Sequence, residues 1–262
     1  MADWSGVEEV IAGAERVGVS IGVAVIGPDG DVFSHRGDDG FLSASTIKIA
    51  IMIALFRKIE RGEVSLDDTY VLRAEDKVQG SGVLQNLHDG IELTIGDVVY
   101  LMISISDNPA TNILINLVGM ENVNATMRDL GMTRSVLGRP MRGRLANAGE
   151  AENEATPNEF ARMVQSILDR KAASPESCDQ MIELLKLQQN ARRIGRYVPE
   201  GVEWGSKTGS YSTVVNDVGF VRTDAGTVIV SVFMVELPDL VTGEQIIGDV
   251  AKAAMQATGV VG

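Results

Sequence analysis

The sequence predicts an α+β fold: a five-stranded antiparallel sheet flanked by terminal helices, joined to an all-helical lobe. Three observations predict it. Strand-like runs occur only near the two ends of the chain, a long apolar run follows the first two of them, and the middle is punctuated by helix-start signals. Pairing the end strands into one sheet, with the end helices on one face, is the simplest packing of this order. The sheet lobe then comprises about residues 1–40 and 196–262 and the helical lobe about 41–195, within a single domain over 1–262. A cleft between two such lobes favours a small-molecule site.

Each element has a local reason. Val7, Val10 and Ile11 recur at helical spacing within Trp4–Ala14. Val19–Ile26 and Asp31–His35 read as strands across Pro28-Asp29-Gly30, where proline presets φ and glycine permits positive φ. From Ser45 to Arg61 the run is apolar almost all round, through Ile47 and Ile49 to Phe56, as suits a buried central helix. Gly62 is a fitting residue to end it. Thr94 with Asp97, Asn108-Pro109, Thr156-Pro157 with Glu159, and Ser174-Pro175 all read as helix starts. Gly131 ends the helix that runs through Met127. Trp204–Ser210, Asp217–Arg222 and Thr227–Leu237 supply three more strands, the last two joined by residues 223–226, before a final helix from about Glu244 to Ala257.

Composition narrows the function. With 45% apolar and 23% charged residues, the chain has the balance of an ordinary globular protein. The 36 acids against 23 bases give a formal charge of −13. That excess repels phosphate backbones and anionic lipid, arguing against nucleic acid or membrane as the main partner. Cys178 is the single cysteine, so neither an intrachain disulfide nor a cysteine-based metal cluster is available. His35 and His88 lack ligand spacing to each other. No metal or organic cofactor is expected. No stretch reaches the roughly 18 apolar residues that span a bilayer. Residues 1–15 carry Asp3, Glu8, Glu9 and Glu15 instead of the basic-then-apolar pattern of an export signal. The expectation is a cytoplasmic chain, or a periplasmic or secreted one whose signal has been removed.

Three short motifs carry chemistry. Ser45-Thr46-Ile47-Lys48 opens the buried helix. A serine hydroxyl needs a nearby base to become a nucleophile. Positions i and i+3 share a helical face, which lets Lys48 reach Ser45, and burial lowers a lysine pKa toward that of a base. Alone, the motif is equally a serine cap with an ordinary helical lysine, although a lysine entering an apolar helix needs a purpose or a partner. Ser106-Asp107-Asn108 precedes Pro109 in a break between helices. Ser106 there can relay protons and the Asn108 amide can bind a substrate carbonyl, or Asn108 merely caps the next helix. Lys207-Thr208-Gly209 lies on a strand. Its lysine and hydroxyl suit a carboxylate, Gly209 permits close approach, and Ser210 N–H can join Ser45 N–H as an oxyanion hole. The alternative is an exposed edge lysine that discourages aggregation.

Together, and in this order, the three motifs resemble the signature elements of class A β-lactamases and penicillin-binding proteins. Gly80-Ser81-Gly82-Val83-Leu84, Ala110-Thr111-Asn112 and Asn216-Asp217 extend the likeness over nearly the whole chain. The resemblance implies the two-lobed β-lactamase/transpeptidase-like fold and attack of Ser45 on a β-lactam or related acyl carbonyl. It also implies carboxylate recognition around Lys207 and Thr208, by a monomer acting on a small molecule. One family feature is missing. Class A enzymes place a glutamate two residues after a loop arginine and an asparagine four residues later. Alignment on Leu137-Gly138-Arg139 puts Met141 and Leu145 at those positions. The nearest acids are Glu150, Glu152 and Glu154, which otherwise read as a charged lead-in to a helix. Acylation without efficient deacylation is therefore expected, unless one of them swings in. An esterase, a D-Ala-D-Ala peptidase, and a binding protein that stays acylated are the competing readings.

Overall fold

The computed structural model describes residues 2–261. Helix α1 (Ser5–Arg16) leads into strands β1 (Ser20–Ile26) and β2 (Val32–His35), then the two-residue strand β3 (Phe41–Leu42). A 3-10 turn at Ala44–Ile47 passes directly into α2 (Lys48–Glu60). The middle of the chain holds β4 (Thr69–Val71), β5 (Glu92–Thr94), α3 (Ile95–Ser104), α4 (Asn108–Val118), α5 (Met120–Asp129), β6 (Glu154–Ala155), α6 (Pro157–Leu168) and α7 (Pro175–Lys186). A turn at Ile194–Tyr197 precedes β7 (Glu203–Tyr211), β8 (Val214–Thr223), β9 (Gly226–Val235) and α8 (Leu240–Ala257).

The expected five-stranded antiparallel sheet is present, in the order β2-β1-β9-β8-β7. Its two faces separate by the strand period of two. On β9, Val228, Val230, Val232 and Met234 meet Val7 and Ile11 of α1 and Ile247 and Val250 of α8. Ile229 and Phe233 point the other way, into a core shared with α2 and α6. The Phe160 ring of α6 sits edge-on to Phe233 with centroids 5.5 Å apart. The sheet is thus covered on both faces, and α6, expected in a separate helical lobe, lies on it. Burying a side chain such as Phe233 contributes about 1.5–3 kcal/mol. A polar substitution there breaks both the sheet's inner face and its contact with α6.

Several ends differ from expectation, each for a local reason. Strand β8 begins at Val214, not Asp217, because the buried Asn216 interrupts an otherwise apolar pattern. Helix α8 begins at Leu240, capped by Asp239, which accepts the Thr242 N–H at 2.8 Å. Thr156 caps α6 through the Glu159 N–H, but Glu159 does not complete a box. Its buried carboxylate instead accepts the N–H groups of Thr133, Arg134 and Ser135. Asp107, not Asn108, caps α4, accepting the Ala110 N–H at 2.9 Å. Among the described residues, no helix is long and apolar enough to cross a membrane.

Candidate active site

Three segments converge on one cleft: the turn before α2, the break between α3 and α4, and the edge strand β7. The cleft holds about 640 Å³ and is lined by Ser45, Ser106, Thr208, Gly209, Ser210 and Arg193, among others. Lys48, Asn108 and Lys207 are buried rather than lining it. Two residues in this region adopt left-handed backbone: Ala44 at φ 46° and Ser106 at φ 60°. Such conformations cost about 1–3 kcal/mol each in a residue with a Cβ and persist only where surrounding contacts hold them.

The Lys48 amine is the hub. Its Nζ lies 2.7 Å from Ser106 O, 3.0 Å from Ser106 Oγ and 3.1 Å from Asn108 Oδ1. The expected direct bond to Ser45 is absent. The Ser45 hydroxyl makes no hydrogen bond among the described residues; the Lys48 amine is taken up by Ser106 and Asn108 instead. Burial drives the Lys48 pKa well below the usual lysine range, and the nearby charge of Lys207 adds to this while Asp107 opposes it. The amine forms no ion pair among the described residues, so its direct hydrogen-bond partners are all neutral oxygens.

Asp107 holds the break in place. Besides capping α4, its other oxygen accepts the N–H groups of Val83 at 2.6 Å and Leu84 at 2.9 Å. That ties the Gly80–Leu84 loop to the start of the helix. Gly82, at φ 105°, has to be glycine: a Cβ there would collide with the Asp107 carboxylate. With capping left to Asp107, the Asn108 side chain is released to meet Lys48 and to donate to Gln79 O at 3.2 Å.

On β7, Lys207 is fully buried, which rules out an exposed edge lysine, and it donates to Thr208 O at 2.9 Å. Burial brings its pKa down to about 7, with Asp217 opposing and Arg193 reinforcing the shift. Gly209 lets the strand press against the turn that carries Ser45: a Cβ there would stand 2.9 Å from Ser45 N. Arg193 was not singled out in the sequence. It is buried, and donates to Gly209 O at 3.0 Å, Asn216 O at 2.7 Å and Ser210 Oγ at 2.6 Å. No periodicity distinguishes it from the neighbouring Arg192 and Arg196; only its tertiary contacts do.

The loop after Arg139 is fastened to α4 and to the Gln79–Gly80 segment, outside the lining of the cleft. Asn112, one turn beyond Asn108 on α4, accepts the Met141 N–H at 2.8 Å and donates to Met141 O at 2.9 Å. The Met141 side chain is only 4% exposed. Gly143, at φ 65°, packs against Gln79 O. None of the three acids in the loop lines the cleft. Glu152 forms a two-pronged ion pair with the buried Arg139 at 3.0 and 2.9 Å. Glu150 pairs with Arg144 and Arg142, and the Arg144 hydrogen bonds, then the Asn147 N–H, draw its carboxyl down to about 2. Glu154 is exposed on β6, paired with Leu42. No group of three or more metal-ligating side chains occurs among the described residues.

Comparison with known proteins agrees with this geometry. The sequence profile of the Beta-lactamase enzyme family matches residues 5–258. The crystal structure of a β-lactamase from Sphaerobacter thermophilus is 55% identical and superposes with a TM-score of 0.97 over 100% of this chain and 99% of that one. An ancestral (GNCA) class A β-lactamase is 26% identical at a TM-score of 0.89, covering 97% of this chain and 100% of that one. β-Lactamase BRO-1 of Moraxella catarrhalis is 24% identical over 79% of this chain and 67% of its own length.

Proposed function

The chain belongs to the β-lactamase enzyme family and is a hydrolase; from that premise we propose that Ser45 is its nucleophile, acylated by β-lactams, and that the resulting ester hydrolyses slowly. The observation that carries this reading is the Lys48 amine, buried, driven toward its neutral form and tied to Ser106 and Asn108 below the cleft that Ser45 lines.

A neutral amine donates two N–H groups, here to Ser106 O and Asn108 Oδ1, and keeps one lone pair for a hydroxyl proton. Ser45 Oγ attacks the lactam carbonyl carbon as its proton passes to Lys48. The new O–C bond turns the carbonyl oxygen into an oxyanion, which the N–H groups of Ser45 and Ser210 stabilise. Collapse breaks the C–N bond, and the ring nitrogen takes the proton from Lys48 by way of Ser106 Oγ, which lies 3.0 Å from the amine. Lys207, Thr208 and Arg193 attract the substrate carboxylate, and the second amide hydrogen of Asn108 serves its side-chain carbonyl. Hydrolysis of the acyl-enzyme then needs a base to activate water. The buried methionine pinned by Asn112 supports a slow step there, and favours as a second reading a protein that stays acylated.

Incubation with a chromogenic cephalosporin, read by absorbance and by intact mass, tests both. An adduct with slow turnover supports the main reading, a permanent adduct the second. Cleavage of simple esters or D-Ala-D-Ala peptides with no adduct would overturn both. Lys48→Ala is expected to slow adduct formation by about 10²–10⁴-fold, the usual contribution of a general base. Adduct formation at the wild-type rate would remove Lys48 from the chemistry.

Lys207 sets a pH dependence. Its pKa of about 7 leaves a cation below that pH and a neutral amine above it. KM for a carboxylate-bearing β-lactam is therefore expected to rise as pH climbs from about 6 to about 8.5. A KM unchanged across that range would dissociate Lys207 from carboxylate binding.

A further inference from the structure

We propose that Asn216 of β8 is a positioning residue for acylation, a strut that holds the turn before Ser45 in its left-handed form. The inference rests on the reading of Ser45 as nucleophile. The Asn216 side chain is fully buried, and three hydrogen bonds occupy it. Its Nδ2 donates to Leu42 O at 2.8 Å and to Ser43 O at 3.2 Å, and its Oδ1 accepts the Met234 N–H from β9 at 3.1 Å. The amide thus joins the centre of the sheet to the two residues preceding Ala44.

The register explains how a residue on β8 gets there. Asn216 lies directly opposite Gly209 of β7, and paired residues of antiparallel strands project to the same face. Gly209 has no side chain, and its Cα faces Ser45 N and Ser43 O. The Asn216 amide therefore reaches the turn over a bare stretch of edge strand. At the receiving end, Ser43 O also accepts the Thr46 N–H at 3.1 Å and the Thr46 hydroxyl at 2.7 Å, while the Ser43 N–H donates to Asn153 O at 2.9 Å. Ala44 then turns through φ 46°, an unfavourable conformation for a residue with a Cβ. Relaxation of Ala44 would rotate the next peptide, the one that carries the Ser45 N–H.

An oxyanion donor acts only when it is fixed toward the place where charge develops. Removing the strut should therefore slow the covalent step and leave the encounter with substrate intact, since Asn216 does not line the cleft. Two variants test this. Asn216→Ala deletes the amide; Asn216→Asp keeps the shape and the acceptor for Met234 but removes both donors. Acylation by benzylpenicillin, followed by intact mass at several concentrations, separates the binding constant from the limiting rate. Both variants are expected to acylate about 10²–10³-fold more slowly, with the binding constant within about threefold of wild type, and each is checked for a native circular dichroism spectrum and cooperative melting. A wild-type limiting rate in either folded variant overturns the inference, as does a loss confined to binding. If neither variant folds, Asn216 is a folding residue and the inference is likewise overturned. Absence of any adduct on wild-type Ser45 would instead overturn the nucleophile reading, and this inference with it.

Discussion

Ser45→Ala forms no covalent adduct with a β-lactam at any incubation time, and retains the fold. The second half of this expected result comes from the geometry. The Ser45 hydroxyl makes no hydrogen bond among the described residues, so its removal leaves no buried partner unsatisfied. A change of that kind usually shifts stability by no more than about 0.5 kcal/mol. The backbone of the turn is held by Asn216 and Asn153 through residues 42 and 43, and owes nothing to the serine side chain. Lys48 keeps Ser106 and Asn108 as partners. Catalysis, in contrast, loses the only atom that forms the bond to substrate; loss of a nucleophile from such a unit costs about 10⁶-fold in kcat. Intact-mass measurement beside a melting curve checks both halves. Retained labelling in a folded Ser45→Ala protein would move the nucleophile elsewhere.

The second large effect is a gain. Met141→Glu is expected to shorten the life of the acyl-enzyme by about 10²–10⁴-fold, the range that a general base supplies. Asn112 holds residue 141 entirely through its backbone N–H and C=O, so the loop's anchor does not depend on the side chain that follows. Asn108 and Asn112 lie about one helical turn apart on the same face of α4, about 6 Å along its axis. One receives Lys48 and the other the Met141 backbone, so residue 141 is anchored one turn from the residue that holds the buried amine. A carboxylate there enters apolar surroundings, so its pKa rises toward the range useful to a base, at a cost of about 1–3 kcal/mol in stability. Pulse acylation followed by mass recovery measures the lifetime. An unchanged lifetime in a folded variant would show that water does not reach this side of the ester.

How far these features were legible in the sequence depended on the range of the interaction. Strands with two buried faces and helices with side-chain caps announce themselves within a few residues, so the sheet, the buried α2 and the Thr94-Asp97 box were all readable. The three motifs gave three of the segments that line the cleft, but not the loop over residues 188–193. What escaped was set by contacts across the chain. Asp-Asn-Pro offers two residues able to cap α4, and only the bonds from Val83 and Leu84 to Asp107 decide between them. Ser45 and Lys48 are three apart in any register. The partner the amine takes instead, Ser106, lies in a strained break 58 residues away. Arg193 looks like a surface charge, and Glu159 like the partner of a capping box, until the strand and the loop that receive them are in place.

The strand order has a bearing on how this enzyme comes into being. Strand β1 completes its pairing only with β9, about 200 residues further along the sequence. Pairings of such long sequence separation form slowly, because closing the intervening chain is entropically costly before any contact repays it. The turn that carries Ser45 is fastened by Asn216 of β8, 174 residues beyond Leu42, and crowded by Gly209 of β7. The cleft therefore depends on contacts of long sequence separation, and its geometry is assembled only once the distant strands have joined the sheet.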